Sequence, residues 1–202
     1  PLPVCAAPPR CGDFGVLVGE RFRLQDFGDI GHLMRTSATV GEALRALLLH
    51  LHLHDRGAVP VLLEVARSSV LLGYSAYGQS ATSMAQIYDA AIAIGYRSLQ
   101  EICGPTWSPT CIQFSHARPT DTATFRRIFR TRLRFDAEAC GVVFKSSWLE
   151  QPIAGADPSL RHTLSRAIAR AKDYAAMSFA EQVESALPKF VLNGATSADD
   201  VA

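Results

Sequence analysis

Val40, Ala43, Leu44, Leu47, Leu48 and Leu51 recur at i, i+3, i+4, i+7, i+8 and i+11. That spacing puts six apolar side chains on one face of an α-helix. Thr39 is placed to cap this helix, and Glu42 three residues on completes a capping box. The stripe fades near Asp55-Arg56-Gly57. Soon afterwards the period changes. Val70, Leu72, Tyr74 and Ala76 alternate with Leu71, Gly73, Ser75 and Tyr77, the two-residue period of a strand. Pro60 to Ala66 reads as a second strand, joined to the first by the short link Arg67-Ser68-Ser69. A striped helix beside an alternating strand pair has one economical solution, a helix packed on a sheet.

The rest of the chain extends that pattern. Residues 1–12 read as an irregular lead-in rich in Pro and Cys. Asp13 to Phe22 and Phe27 to Arg35 read as short apolar segments. A long helix is predicted from about Ala81 to Ile102, with Met84, Ile87, Tyr88, Ala91, Ile94, Leu99 and Ile102 on its apolar face and Gly104-Pro105 ending it. Thr110 to Ser115 reads as a strand and Asp121 to Arg130 as a short helix held by Phe125, Ile128 and Phe129. Leu133 and Phe135 mark a brief extended piece, and Gly141 to Lys145 a further strand. Asp157 caps another helix, with Pro158 in its first turn. The expected class is α+β: a small, mainly antiparallel sheet packed with helices over residues 1–176. A new amphipathic helix begins near Met177-Ser178, and residues 177–202 read as the start of a separate all-α unit that is expected to continue past Ala202.

Composition excludes several function classes. With 48% hydrophobic and 19% charged residues, the chain has enough apolar material for a core and is not intrinsically disordered. A formal net charge of +1 excludes binding of nucleic acid by bulk charge alone. No apolar run is long enough to cross a bilayer, since Ala43 to Leu53 is cut by Arg45, His50 and His52. The first ten residues lack the pattern of a secretory leader, and Pro1 in place of Met suggests a trimmed start. Five cysteines, an odd number without C-x-x-C spacing, fit a reducing cytoplasmic setting.

Motifs for catalysis are sparse. His50, His52 and His54 would share a face on a strand and suggest a metal site. The flanking stripe is helical, so the run also reads as a solvated helix end. Cys103, Cys111 and Cys140 are candidate thiols, but free Cys is also a common small core side chain. No G-x-S-x-G elbow, phosphate loop or dinucleotide fingerprint is present. Arg126, Arg127, Arg130, Arg132 and Arg134 form a basic cluster that reads as the solvated side of a short helix and leaves room for an interface. Tyr74, Tyr77, Tyr88, Phe114, Phe144 and Trp148 fall on or beside the expected sheet. Such residues line small-molecule pockets as well as ordinary cores. A thiol- or metal-dependent enzyme using Cys111 or the His50–His54 run, and a ligand-free dimerisation scaffold, are the competing readings.

Three stretches in order resemble one family. Asp26 to Leu44, with Asp26-Phe27-Gly28 and Val40-Gly41-Glu42-Ala43-Leu44, is similar to its "DFG…LGEAL" segment. Phe125 to Phe129 with Leu133-Arg134-Phe135-Asp136 is similar to its "rrlF…rFd" segment, and Trp148 to Pro158 to its "LdlPlpgaDP" segment. The chain thereby resembles the AraC/XylS transcription regulators with an arabinose-binding-type N-terminal domain, similar to the ornithine-utilisation regulator group. The resemblance covers about residues 13–176. Phe179 to Leu187, with Gly194 and Thr196 to Ala202, is similar to the opening of the family's helix-turn-helix, with Pro188 as a departure inside its first helix. The N-terminus, which lacks the long opening helix expected before Gly12, is a second departure.

The resemblance implies a division of labour. Residues 1–176 would sense a small effector and mediate homodimerisation. A helix-turn-helix part beginning at 177–202 and completed beyond Ala202 would read DNA in the major groove. No catalytic residue, metal or cofactor is required, and no membrane is involved. The expected ligand cavity is the space between the sheet and the Ala81–Ile102 helix, with Tyr74, Tyr88, Phe114 and Trp148 as its candidate residues.

Overall fold

The computed structural model describes residues 12–55, 57–76 and 81–176. By its contacts the chain divides into two compact units, Pro1–Arg161 and His162–Ala202. The first unit is α+β, as expected. Its elements run α1 (Phe14–Glu20), α2 (Asp29–Arg35), α3 (Val40–His50), the hairpin β1 (Ala58–Ala66) and β2 (Ser69–Ala76), α4 (Ala81–Cys103), β3 (Cys111–Gln113), α5 (Ala123–Phe129), β4 (Leu133–Arg134) and β5 (Gly141–Lys145). Short 3₁₀ turns cover Leu24–Phe27, Leu51–Leu53 and Ser146–Glu150. The helix α6 (Pro158–Ala176) crosses the boundary between the units. In the second unit the described part is the remainder of this helix. The expected helix-turn-helix start at 177–202, with Pro188, and the lead-in at 1–11 lie outside the described residues.

The sheet order is β1-β2-β5-β3-β4, antiparallel except for the parallel pair β3–β4. Its register sets Leu62 opposite Leu72, Leu72 opposite Val142, and Ile112 opposite both Val142 and Leu133. The central strand β5 buries four consecutive residues, Gly141 to Phe144. A strand covered on both faces reads as a continuous apolar run. β1 lies at one edge, where Leu63 and Val65 stay half exposed.

The predicted cap of α3 forms with one adjustment. Thr39 Oγ1 accepts from the Glu42 N–H at 3.3 Å, while Glu42 Oε2 accepts from the Ala38 N–H at 3.2 Å, one residue earlier than in the usual box. α3 ends at His50, earlier than its expected stop, and a 3₁₀ turn carries the chain on to Leu53. The segment before α6 ties this region down: Val40 N–H donates to the Gln151 carbonyl at 3.1 Å and Ile153 N–H to the Ala38 carbonyl at 3.1 Å. Asp157 caps α6 as expected, accepting from the Leu160 N–H at 2.9 Å.

α4 is the organising helix, and α1 crosses it through Gly15 and Gly19. These glycines are one turn apart and share a face. An added Cβ on Gly15 would stand 2.1 Å from the Gln86 carbonyl oxygen, and one on Gly19 would stand 2.5 Å from the Ala93 Cβ. Only hydrogen fits at either position. Gln86 of α4 also serves the N-terminal end of α1. Its Oε1 accepts from Gly15 N–H at 2.7 Å and its Nε2 donates to the Gly12 carbonyl at 3.0 Å. On the far side of α1, Arg127 of α5 forks onto Glu20 through Nη1–Oε1 and Nη2–Oε2 contacts of 2.5 and 2.9 Å. The pair draws the Glu20 carboxyl below its ordinary range through that hydrogen bond. The other four arginines of the cluster are exposed, as expected of a solvated face.

Candidate functional site

α4 covers the β1–β2 side of the sheet, and the two do not close completely on each other. A cavity of about 330 Å³ remains between them, near the lower end of the roughly 300–1,000 Å³ typical of small-molecule sites. Its roof is α4, from Ile87 through Ala90, Ala91, Ile94 and Gly95 to Ser98. Eleven steps of helix from Ile87 to Ser98, at about 1.5 Å each, make the cavity long, about 16 Å. Leu72, Gly73 and Tyr74 of β2 form the floor, with Ala58 and Pro60 of β1 beside them. Leu47 and Leu51 close it from the end of α3, and Phe22 and Phe27 from the connection between α1 and α2.

Gly95 explains part of the space. It sits mid-helix, where glycine costs about 1 kcal/mol relative to alanine. An added Cβ would meet nothing closer than Leu72 Cδ2 at 3.7 Å, an ordinary contact. Sterics therefore do not require glycine here. Gly95→Ala is expected to raise stability by about 0.5–1 kcal/mol while narrowing the cavity, as urea denaturation would measure.

Four polar side chains reach the lining: His54, Asp55, Tyr74 and Ser98. Asp55 is held from two sides. Its Oδ1 accepts from the Gly57 N–H at 2.9 Å and its Oδ2 from the Tyr74 hydroxyl at 3.3 Å. Burial, and then the nearby Asp55 charge, push the Tyr74 phenol up to about 12, so it keeps its proton and remains a donor. The Tyr88 ring meets the Tyr74 ring edge to face at 5.9 Å. Phe27 stacks edge to face with both Phe22, at 4.6 Å, and His54, at 5.4 Å. Ser98 is 1% exposed and its hydroxyl has no hydrogen-bond partner. An unpaired buried hydroxyl carries a cost of about 1–3 kcal/mol. It sits ten residues beyond Tyr88 on α4, about 15 Å along the axis, at the opposite end of the cavity from Tyr74.

The four residues singled out from the sequence separate in space. Tyr74 lines the cavity. Tyr88 packs against Tyr74 without belonging to the lining. Phe114 does not reach it. It is fully buried in a second aromatic cluster, stacked on Phe135 at 5.1 Å and edge to face with Phe125 at 5.3 Å. Trp148 sits half buried on the 3₁₀ turn after β5, also away from the lining. Alternation along a strand tells which residues share a face, but not how far along the sheet a gap opens; that depends on where α4 crosses.

Asp55, Ser98 and Gly95 escaped the sequence reading. Asp55 read as a helix stop, and Ser98 and Gly95 as positions inside a long amphipathic helix. The available signal was Gly95 itself, a helix-destabilising residue amid Ile92, Ala93, Ile94 and Tyr96.

The other candidates resolve into structural surroundings. His50 ends α3, His52 lies in the 3₁₀ turn and His54 stands at the cavity. Among the described residues no group of three or more His, Cys, Asp or Glu is placed to hold a metal ion. Cys140 is buried and donates to Ser115 Oγ at 2.9 Å. Burial pushes the Cys103 thiol up to about 12, so its thiolate is scarce at neutral pH. Cys103 is expected to resist iodoacetamide at pH 7.5 in the folded chain and to react once urea unfolds it, as peptide mass mapping would show.

Residues 5–153 match the family described as the N-terminal arabinose-binding domain of AraC transcription regulators. The chain belongs to that family. A search of curated proteins finds no match. Among solved structures, this AraC-type domain is similar to the transcriptional regulator CdpR from Pseudomonas aeruginosa, with a TM-score of 0.67 at 17% identity. The likeness covers 77% of this chain and 50% of that one, so the AraC-type chain spans half the length of that regulator. At such identity the likeness speaks for the fold. No helix among the described residues of the AraC-type domain is long and apolar enough to cross a membrane.

Proposed function

We propose that this chain is the effector-sensing part of a cytoplasmic, homodimeric transcription regulator, and that the cavity between α4 and the β1–β2 hairpin holds the effector. Family membership supports the regulatory role. The observation that carries the placement is the cavity itself, an elongated apolar space kept open beside a mid-helix glycine. A DNA-reading helix-turn-helix part would begin in 177–202, and ligand occupancy would act by favouring one arrangement of the dimer over another. A ligand shifts such an equilibrium only by its differential affinity for the two states.

The family description mentions arabinose, but the lining does not suit a sugar. A sugar needs many fixed hydrogen-bond partners. This lining holds thirteen apolar side chains of Ala, Val, Leu, Ile, Pro and Phe type, against the four polar ones already named. A mainly apolar effector fits it better. The test is a thermal-shift screen of the full 202-residue chain against amino acids, fatty acids, sugars, aromatic acids and aliphatic amines. A ligand of the native state raises the melting temperature by mass action. Hits among amphipathic compounds, with none among sugars, are expected. A screen in which nothing shifts the transition would favour a ligand-free dimerisation scaffold instead.

A further inference from the structure

The described lining has few ionisable side chains: Asp55, Tyr74 and His54. Among the described lining residues there is one carboxylate, Asp55, and no lysine or arginine. Asp55 is also held in position before any ligand arrives, by the Gly57 N–H and the Tyr74 hydroxyl. Each carboxylate oxygen has two acceptor sites, so both keep capacity for a further donor. The Tyr74 ring stands beside this carboxylate, and Phe22 and Phe27 line the same cavity. Aromatic faces also favour a cation over an anion. An anionic head group would meet the like charge of Asp55, and the described lining has no lysine or arginine to offset it.

Resting on the reading of this cavity as the effector site, we propose that it takes a small aliphatic molecule with a protonated amine head, the head held at Asp55 and Tyr74. The apolar body lies under α4 along Ile87, Ala91 and Ile94, over Leu72. Ser98 lies at the other end of the lining, with its hydroxyl buried and unpaired. Pre-organised acceptors reduce the ordering cost of binding, which is why a carboxylate at a partly solvated rim suffices to select the head group.

The test uses three probes with one body and different heads: n-octylamine, octan-1-ol and octanoate. Their affinities for the full chain are measured by isothermal titration calorimetry at pH 7. Octylamine is expected to bind about tenfold or more tightly than octanoate, the scale of one charge-assisted hydrogen bond. Asp55→Asn is expected to erase most of that preference while leaving octanol affinity within about twofold. Gly95→Leu, which fills the cavity, is expected to remove binding of all three, with circular dichroism checking that it folds and Gly95→Ala as its milder partner. Octanoate or octanol binding as tightly as octylamine, and blocked by Gly95→Leu, would overturn the head-group assignment and leave the effector cavity standing. An octylamine preference that survives Asp55→Asn would also overturn the assignment. Binding of no probe, or binding unaffected by Gly95→Leu, would remove both readings.

Discussion

Gly15→Val is expected to lower the melting temperature by about 6–12 °C, the equivalent of about 3 kcal/mol in a chain of this size. The first atom of the new side chain would sit 2.1 Å from the Gln86 carbonyl oxygen. That oxygen belongs to the backbone of α4 and cannot swing away, so the helices must separate. Separation would also break the hydrogen bonds by which Gln86 holds Gly12 and Gly15. Gly95→Ala is the informative contrast. Both changes add bulk to a helical glycine, yet Gly15 faces a backbone oxygen and Gly95 only Leu72 Cδ2 at an ordinary 3.7 Å. Opposite signs are expected in the same urea or thermal experiment. Equal destabilisation at the two sites would contradict the packing described for α4.

His116→Ala is expected to cost about 3–4 kcal/mol at pH 7. Asp89 of α4 is 1% exposed, and its Oδ1 lies 2.8 Å from His116 Nε2. The other ring nitrogen lies 2.8 Å from the Ala117 carbonyl. Removing the imidazole strands a buried carboxylate, for which about 3–5 kcal/mol is usual. Protonation sets a ceiling: holding an ordinary aspartic acid neutral at pH 7 costs about 4 kcal/mol. At pH 5 that ceiling falls below about 2 kcal/mol, so the cost of the mutation should shrink on acidification.

The wild-type pH dependence follows from the same pair. The hydrogen bond to Asp89 raises the His116 value above 6.5, and desolvation raises the Asp89 value above 3.8. A raised folded-state value gives stability that is present below the unfolded value and lost as pH rises through the folded one. The Asp89 part is therefore lost on leaving the acid range, and the His116 part above pH 6.5. Urea midpoints are expected to fall from pH 6 to pH 8.5, and to fall less in His116→Gln. A midpoint that rises over this window, or an unchanged slope in His116→Gln, would contradict the pairing.

Neither Asp89 nor His116 stood out in the sequence, because their partnership spans α4 and the loop after β3. Long-range polar pairs leave no periodic trace. Repeating patterns did survive into the structure. The Val40 stripe became α3, the alternation from Val70 became β2, and Gly141 to Lys145 became β5. The 3₁₀ turn at Ser146–Glu150 and the parallel pairing of β3 with β4 carried no local signature. At the candidate site, the sequence pointed to the sheet and the long helix, whose apolar faces must meet, and a cavity lies between them. It did not separate Tyr74, beside the gap, from Phe114, which packs against Phe125, Phe129 and Phe135 and does not line it. Tyr74 lies on β2 and Phe114 directly after β3, both in segments that read as strands, and only the crossing of α4 distinguishes them.

The most direct test of the proposed effector cavity compares one ligand with two proteins. A compound that raises the melting temperature of the wild-type chain in the thermal-shift screen is titrated calorimetrically into wild type and Gly95→Leu. Loss of binding in the folded Gly95→Leu protein, with retention in a surface variant such as Arg132→Ala, is the expected result. Equal affinity for wild type and Gly95→Leu would place the ligand elsewhere and contradict the account.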